Sequence, residues 1–287
     1  MKVLIDASDP PSFAPEGLDW CDIYAKINVD DRQIPANYRH KVLPVGPSFG
    51  IKLWELPRTM LLAMTRYVRF RAFISHPREY FAGYYRQWRY RLPETAFVPG
   101  KSQGNYIFFA GSLWKREPET NVYRANFIRV CSSLEQIQFE GGFAPRTRND
   151  IQGFEELTMV RRIPFDEYLT KLKSSAVAFN TPAVAGCHGW KLAEFLALGK
   201  AIISTPLTRT LPSPLEHGVH VHYVDGSPES IRQAVVDICH DDGYRRKLET
   251  NAREYYLTYL HPSQVMRRIL SAAESIQHND RNFETRL

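Results

Sequence analysis

The sequence predicts an α/β chain built on parallel strands, and three observations predict it. From Asn105 onward, short apolar runs alternate with segments of helical spacing about 10–15 residues long, as in parallel sheets covered on both faces. The runs and helices are punctuated by glycines at Gly111, Gly141-Gly142 and Gly199. The composition, 44% hydrophobic and 24% charged over 287 residues, is that of a folded chain able to bury a sizeable core.

At the N-terminus, residues 3–5 precede Asp9-Pro10-Pro11, residues 22–27 follow a second Pro/Gly loop, and residues 42–45 stop at Gly46-Pro47. These read as three strands of a short α/β part, residues 1–57. Residues 58–100 read as a basic, aromatic, helical linker ending in Pro93, Pro99 and Gly100. Residues 101–277 read as a Rossmann-like domain. There, 106–110 is a buried strand, and 119–132 carries Val122, Ala125, Phe127, Ile128 and Cys131 at helical spacing. A strand over 136–139 is closed by Gly141-Gly142, and 157–163 is a weak strand. Pro164 and Phe165 open a helix through Leu172, and 176–179 is a strand. A helix over 189–198 has Gly199 as its C-cap, and strands follow at 201–204 and 221–224. Ser227 caps a helix that opens with Pro228. Two further helical segments reach about residue 277, and the polar tail 278–287 is expected to be flexible.

The net charge of +6 is concentrated in one place. Residues 58–91 hold eight arginines (58, 66, 69, 71, 78, 86, 89, 91), no lysine and one acid, Glu79, a net of +7. Nine aromatic residues are interleaved, from Tyr67 to Tyr90. Three readings follow, in order of preference. The first is a linker helix or lid that packs its rings on a domain and turns its arginines to solvent or to an anionic ligand. The second is peripheral contact with an anionic membrane. The third is single-stranded nucleic acid, which no RGG or lysine-rich tail supports.

Several classes are disfavoured. The apolar runs are far shorter than the ~20 residues of a membrane-spanning helix, and Asp6 interrupts any secretory apolar core. Cys21, Cys131, Cys187 and Cys239 lack C-x-x-C spacing, so reduced cytoplasmic thiols are expected. His188, His217, His220 and His222 have no carboxylate or cysteine at ligand spacing, so no metal is expected. There is no P-loop and no G-x-S-x-G, and only Gly111 of a G-x-G-x-x-G stands after a strand.

Ligands of parallel α/β sheets bind beyond the carboxyl ends of the strands, near helix N-termini. The informative segments are therefore 111–116, 181–190 and 205–209. In 180–207, His188-Gly189 lets backbone approach a ligand, and the helix opening near Gly189 offers free amides to an anion such as a phosphate. Lys191 adds a cation in the first turn, and Glu194 lies one turn on, placed to accept hydrogen bonds from vicinal hydroxyls of a ribose. The plainer reading is a surface Lys191–Glu194 pair on a helix whose other face is core.

The string G-C-H-G-W-K-L-A-E-F-L-A-L-G-K-A-I-I resembles the donor-binding motif of GT-B glycosyltransferases, in particular the family 4-like group (glycosyltransferase group 1) and its bacterial polysaccharide-type members. Gly189, Glu194, Ala197, Gly199 and Ile202-Ile203 fall in register. The resemblance implies a GT-B-like fold, a nucleotide-sugar donor, a ribose contact for Glu194, and a diphosphate contact for Lys191 with His188, Gly189 and Trp190 around it. The family's first glutamate falls on Gly186. The segment 106–129 resembles the first strand of the donor domain and its following loop. Where the family has arginine and then lysine, this chain has Ser112, with Trp114, Lys115, Arg116 and Arg124 nearby; a solvated charged turn is the alternative. In the N-terminal part Asp9 is the candidate catalytic acid or base, with a turn before Pro10-Pro11 as the plainer reading. The resemblance implies a metal-independent transfer of a sugar to a glycan or lipid-linked acceptor, in the cytoplasm or at the inner face of a membrane. The alternative is a non-catalytic nucleotide-sugar or glycan-binding module.

Overall fold

The computed structural model describes residues 1–148 and 150–284. It divides into two compact units, residues 1–48 with 99–287 and residues 49–98. The first unit begins with three parallel strands, β1 (Val3–Asp6), β2 (Ile23–Lys26) and β3 (Val42–Pro44), in that order, with Val3 opposite Ile23. The helix between the first two, α1 (Pro15–Trp20), is only six residues long and covers one face of the sheet, with Leu18 against Leu4, Tyr24 and Val42. Cover of the other face comes from the far end of the chain, where Ile269 and Ala273 of the last helix pack on Ile23, Ala25 and Val45.

The remainder of this unit alternates strand and helix. It comprises β4 (Tyr106–Gly111), α4 (Pro118–Ser133), β5 (Gln138–Phe143), α5 (Phe165–Ser174), β6 (Val177–Asn180), α6 (Trp190–Ala197), β7 (Ala201–Ser204) and β8 (His222–Tyr223). Then come α7 (Pro228–His240), α8 (Asp242–Tyr255) and α9 (Pro262–Glu284). β5 pairs with β4, and β6, β7 and β8 pair in order, all parallel. The two groups meet where the Ala176 amide donates to the Tyr106 carbonyl (2.7 Å) and the Phe108 amide to Ser175 Oγ (2.9 Å). From that seam the chain builds outward in both directions, so the strand order reverses between β4 and β6 and leaves a crevice at their carboxyl ends. Phe127 of α4 stacks on Phe179 of β6 (4.4 Å between rings) and fixes that helix against the seam. α6 is apolar almost all round, with Leu192, Phe195 and Leu196 buried, and it ends at Gly199 in the left-handed region (φ +57°).

The structure departs from the sequence expectation in several places. β5 runs through Gly141-Gly142 instead of stopping there. A Cβ at Gly141 would stand 1.8 Å from the Phe109 carbonyl oxygen, so the glycine serves close strand approach and not a turn. The expected strand over 157–163 is absent; one turn of 3-10 helix (Glu155–Leu157) leads into a loop joined to β5 by a single Phe143–Thr158 bridge. The expected flexible tail from 278 is helical through Glu284, and 285–287 lie outside the described residues. The expected boundaries at 57/58 and 100/101 differ from the compact unit observed, 49–98.

That second unit is a helical hairpin, α2 (Leu56–Phe70) and α3 (Pro77–Tyr90). Buried Ala63 lets the helices approach, and Tyr80 donates its hydroxyl to the Ala63 carbonyl (3.0 Å). Tyr67 packs on Phe81 (5.2 Å), and the Lys52 amide donates to the Leu92 carbonyl (2.8 Å), closing the base. Among the described residues no helix is long and apolar enough to cross a membrane.

Candidate functional site

Two adjoining cavities open at the crevice between β4 and β6, of about 400 and 290 Å³, and both are lined by Gly111, Ser112, Trp190 and Lys191. The larger also exposes Glu194, Tyr168, Phe165, Ile163 and Met159. The smaller exposes Arg124, Asn180, Thr181, Cys187, Gly189 and Asp9.

Two cations sit at the seam. Arg124, on α4, donates to Thr181 Oγ1 (3.0 Å) and to the Ser112 carbonyl (2.7 Å), and so joins the ends of β6 and β4. Lys191, in the first turn of α6, donates to the Ala110 carbonyl and lies 5.2 Å from the centre of the Tyr168 ring. Burial lowers Arg124 to about 10. Burial, then repulsion from Arg124, lowers Lys191 to about 8 against the pull of Glu194. The seam thus concentrates positive charge in a partly desolvated place, where an anionic ligand gains most. Gly189 caps α6 without a side-chain hydrogen bond, and a Cβ there would meet only Ala183, so its edge of the smaller cavity is open.

Glu194 is buried and faces the larger cavity, with the Tyr168 hydroxyl 3.5 Å from its Oε2. Burial, with the nearby Glu194 charge, pushes the Tyr168 hydroxyl well above its ordinary value, so it stays a donor. The loop after β4 is held by Asn121, whose amide side chain bonds both the N–H (2.9 Å) and the carbonyl (2.8 Å) of Trp114.

Of the residues the sequence singled out, the crevice gathers Gly111, Ser112, Trp114, Arg124, Gly189, Trp190, Lys191, Glu194 and Asp9. It does not gather Lys115 and Arg116, which are exposed on the loop and line neither cavity. His188 also lies outside both. Its backbone amide donates to Asn28 Oδ1 (2.9 Å), and burial, with Arg209 nearby, lowers its imidazole to about 4. His188 thus ties the start of α6 to the loop after β2 through its backbone amide, and its buried ring is neutral. At Gly186 the backbone is left-handed (φ +68°), and a Cβ would come within 2.9 Å of Thr208 Oγ1. A side chain at this position would be strained and would press on the Thr208 and Arg209 side chains. Asp9 reaches the smaller cavity beside Cys187, whose thiol is pushed up to about 12 by burial and by Asp9.

Sequence reading missed Tyr168, Arg146 and Arg162, and marked Thr181 only as the start of the segment 181–190. Tyr168 looked like core on an amphipathic helix. Arg146 and Arg162 come from the irregular loop after β5, which has no periodicity to place them; both line the larger cavity, Arg146 donating to the Leu113 carbonyl (2.7 Å). Among the described residues no group of three or more histidine, cysteine and carboxylate side chains could hold a metal ion.

No family model matches the chain, and no curated protein does. Solved structures do match. The C-terminal domain of a group 1 family glycosyl transferase from Francisella tularensis is 14% identical at a TM-score of 0.38, covering 57% of this chain and 91% of that one. A glycosyltransferase from Rickettsia africae is 9% identical at 0.48, covering 96% and 71%. This chain's own elements make a mixed α/β fold with parallel sheets. A candidate UDP-N-acetylglucosamine 2-epimerase from Listeria monocytogenes also matches, at 16% identity and 0.39, covering 61% and 46%. All three TM-scores are below 0.5, and the site is read from this chain's own residues.

Proposed function

We propose that the chain is a glycosyltransferase that takes a sugar from a nucleotide-sugar and passes it to a hydroxyl of a glycan or lipid-linked acceptor. The observation that carries the reading is the pairing of two partly desolvated cations, Lys191 and Arg124, at the strand-order reversal, with the buried carboxylate of Glu194 one helical turn further in. The apolar wall of Ile163, Phe165 and Met159 suits a nucleobase, and Glu194 accepts from ribose hydroxyls. Lys191, Arg124 and the first amides of α6 bind the diphosphate, and the sugar occupies the smaller cavity near Asn180, Thr181 and Asp9.

The reaction breaks the bond between the sugar's anomeric carbon and the diphosphate oxygen and forms one to the acceptor oxygen. Negative charge builds on the departing diphosphate, and fixed cations and amides stabilise it without reorganising. No metal is needed for that, because Lys191 and Arg124 already supply the counter-charge. In this reading Asp9, which lines the smaller cavity, takes the acceptor proton. A lipid-linked acceptor would bring the chain to a membrane surface, with residues 58–91 as the contacting segment.

Gly186, where the resembled motif has its first glutamate, favours a second reading, a non-catalytic nucleotide-sugar or glycan-binding module. Incubation with nucleotide-sugars separates the two. The transferase reading expects slow release of nucleoside diphosphate without acceptor, faster with one. A chain that binds the nucleotide but never releases diphosphate is the binding module.

A further inference from the structure

α2 is apolar on two opposite faces. One, with Thr59, Ala63 and Tyr67, packs on α3. The other carries Leu61, Met64 and Val68 at helical spacing and has no partner in the hairpin: Leu61 is 64% exposed and Val68 63%. Beyond the helix end Phe73 is 86% exposed. Single exposed apolar residues are ordinary, but three on one helix face with an exposed phenylalanine just beyond, on a 50-residue unit, form a patch that calls for an occupant. Arg58 and Arg69 flank the stripe on the helix, Arg71 follows it and Arg78 lies in the first turn of α3, all exposed. Glu79, the one acid of this stretch, is paired with Arg86, so the positive charge is left for an outside partner.

We infer that this outer face of α2 docks on a membrane rich in anionic phospholipid, with Leu61, Met64, Val68 and Phe73 at the acyl boundary and Arg58, Arg69, Arg71 and Arg78 among the headgroup phosphates. Charge complementarity selects the anionic headgroup. The stripe selects lipid over nucleic acid, because leucine, methionine and valine offer bases no stacking surface, whereas an aliphatic face flanked by cations fits the interface. The inference deepens the membrane-contact part of the reading above and does not depend on sugar transfer, since its test uses neither donor nor acceptor.

The test is co-sedimentation of the full chain with vesicles of phosphatidylcholine alone and of phosphatidylcholine mixed with phosphatidylglycerol, at low and high salt. Binding is expected to the mixed vesicles, weakened by salt. Replacing Arg58, Arg69 and Arg71 by glutamine should lower the partition constant about fivefold per arginine. Leu61→Ser with Phe73→Ser should lower it roughly tenfold or more. All these side chains are exposed, and unchanged circular dichroism and melting temperature confirm that the variants fold. Wild-type binding that is absent, or equal on the two vesicle types, overturns the inference. So does unaltered binding by the folded variants, or salt-sensitive binding of single-stranded DNA in place of vesicles. If vesicles bind as expected while nucleotides do not, sugar transfer fails and this inference stands.

Discussion

Raising the pH from about 7 to about 9 should weaken nucleoside diphosphate binding about tenfold, and Lys191→Met should remove that dependence. The Lys191 ammonium is held by the Ala110 carbonyl, the Tyr168 ring face and the Glu194 charge, and is repelled by Arg124. Burial and that repulsion bring it to about 8. Its charged fraction then falls from about nine-tenths near pH 7 to about one-tenth near pH 9. A diphosphate in the crevice favours the charged form and keeps it, so affinity follows the charged fraction, a loss of about 1.4 kcal/mol. The ligand's own phosphates are already ionised over this range, their last pKa lying near 6. Isothermal titration calorimetry in two buffers of different ionisation enthalpy reads the linked proton directly. Uptake should approach one proton per ligand near pH 9 and nearly vanish near pH 7. The free chain gives an independent reading. A lysine whose folded value lies below its unfolded 10.5 costs stability at pH below about 8, and the cost is relieved as pH rises toward 10.5. Wild type should therefore gain stability relative to Lys191→Met across that window. An affinity flat from pH 7 to 9, or equally steep in Lys191→Met, refutes the reasoning.

Three structural predictions concern the supports of the site. Gly186→Glu, which restores the family's carboxylate at a left-handed residue 2.9 Å from Thr208 Oγ1, should cost about 1–3 kcal/mol in chemical denaturation; an unchanged midpoint contradicts the strain. Asn121→Ala removes both bonds to the Trp114 backbone and should cost about 1–3 kcal/mol, with faster hydrogen exchange at the Trp114 amide. Asp6→Asn leaves Lys26, fully buried and 2.6 Å from Asp6 Oδ2, without its counter-charge and should cost about 3–5 kcal/mol. Burial would raise the Asp6 carboxyl, yet hydrogen bonds from Lys26, Ser8 and Tyr24 hold it below 3.8. Its stabilisation is therefore present above pH 3.8 and is lost as pH falls through the lower folded value, and acid unfolding of the variant should lack that step.

The parts of the fold that local chemistry specifies were legible. Ser227-Pro228 opens α7 as expected, and Gly199 closes α6, because caps and breakers act within a turn of themselves. The three N-terminal strands and β4, β6 and β7 were legible as apolar runs bounded by breakers. What stayed hidden depends on distant chain. Gly141-Gly142 reads as a turn until Phe109 is seen pressing on it. The N-terminal sheet looks too small for a domain until α9, some 240 residues later, covers it. In the site, the sequence placed Gly189, Lys191 and Glu194 together because one helix carries all three. It could not tell that Arg124 turns into the crevice while Lys115 and Arg116 stay in solvent, because a loop's direction is set by its anchors, here Asn121. Nor could it distinguish His188 as a buried tie from His188 as a ligand contact, since both uses place a histidine beside Gly189.

The most direct measurement is nucleotide binding by the wild-type chain beside Glu194→Gln and Glu194→Ala, with UDP, GDP, ADP and CMP compared by thermal shift and calorimetry. A nucleoside diphosphate should raise the wild-type melting temperature in proportion to occupancy. Removing the carboxylate that accepts the ribose hydroxyls should weaken that binding about 10–100-fold while both variants stay folded. If no nucleotide stabilises the wild type, or if both variants bind as tightly as it does, the crevice is not the nucleotide site described here.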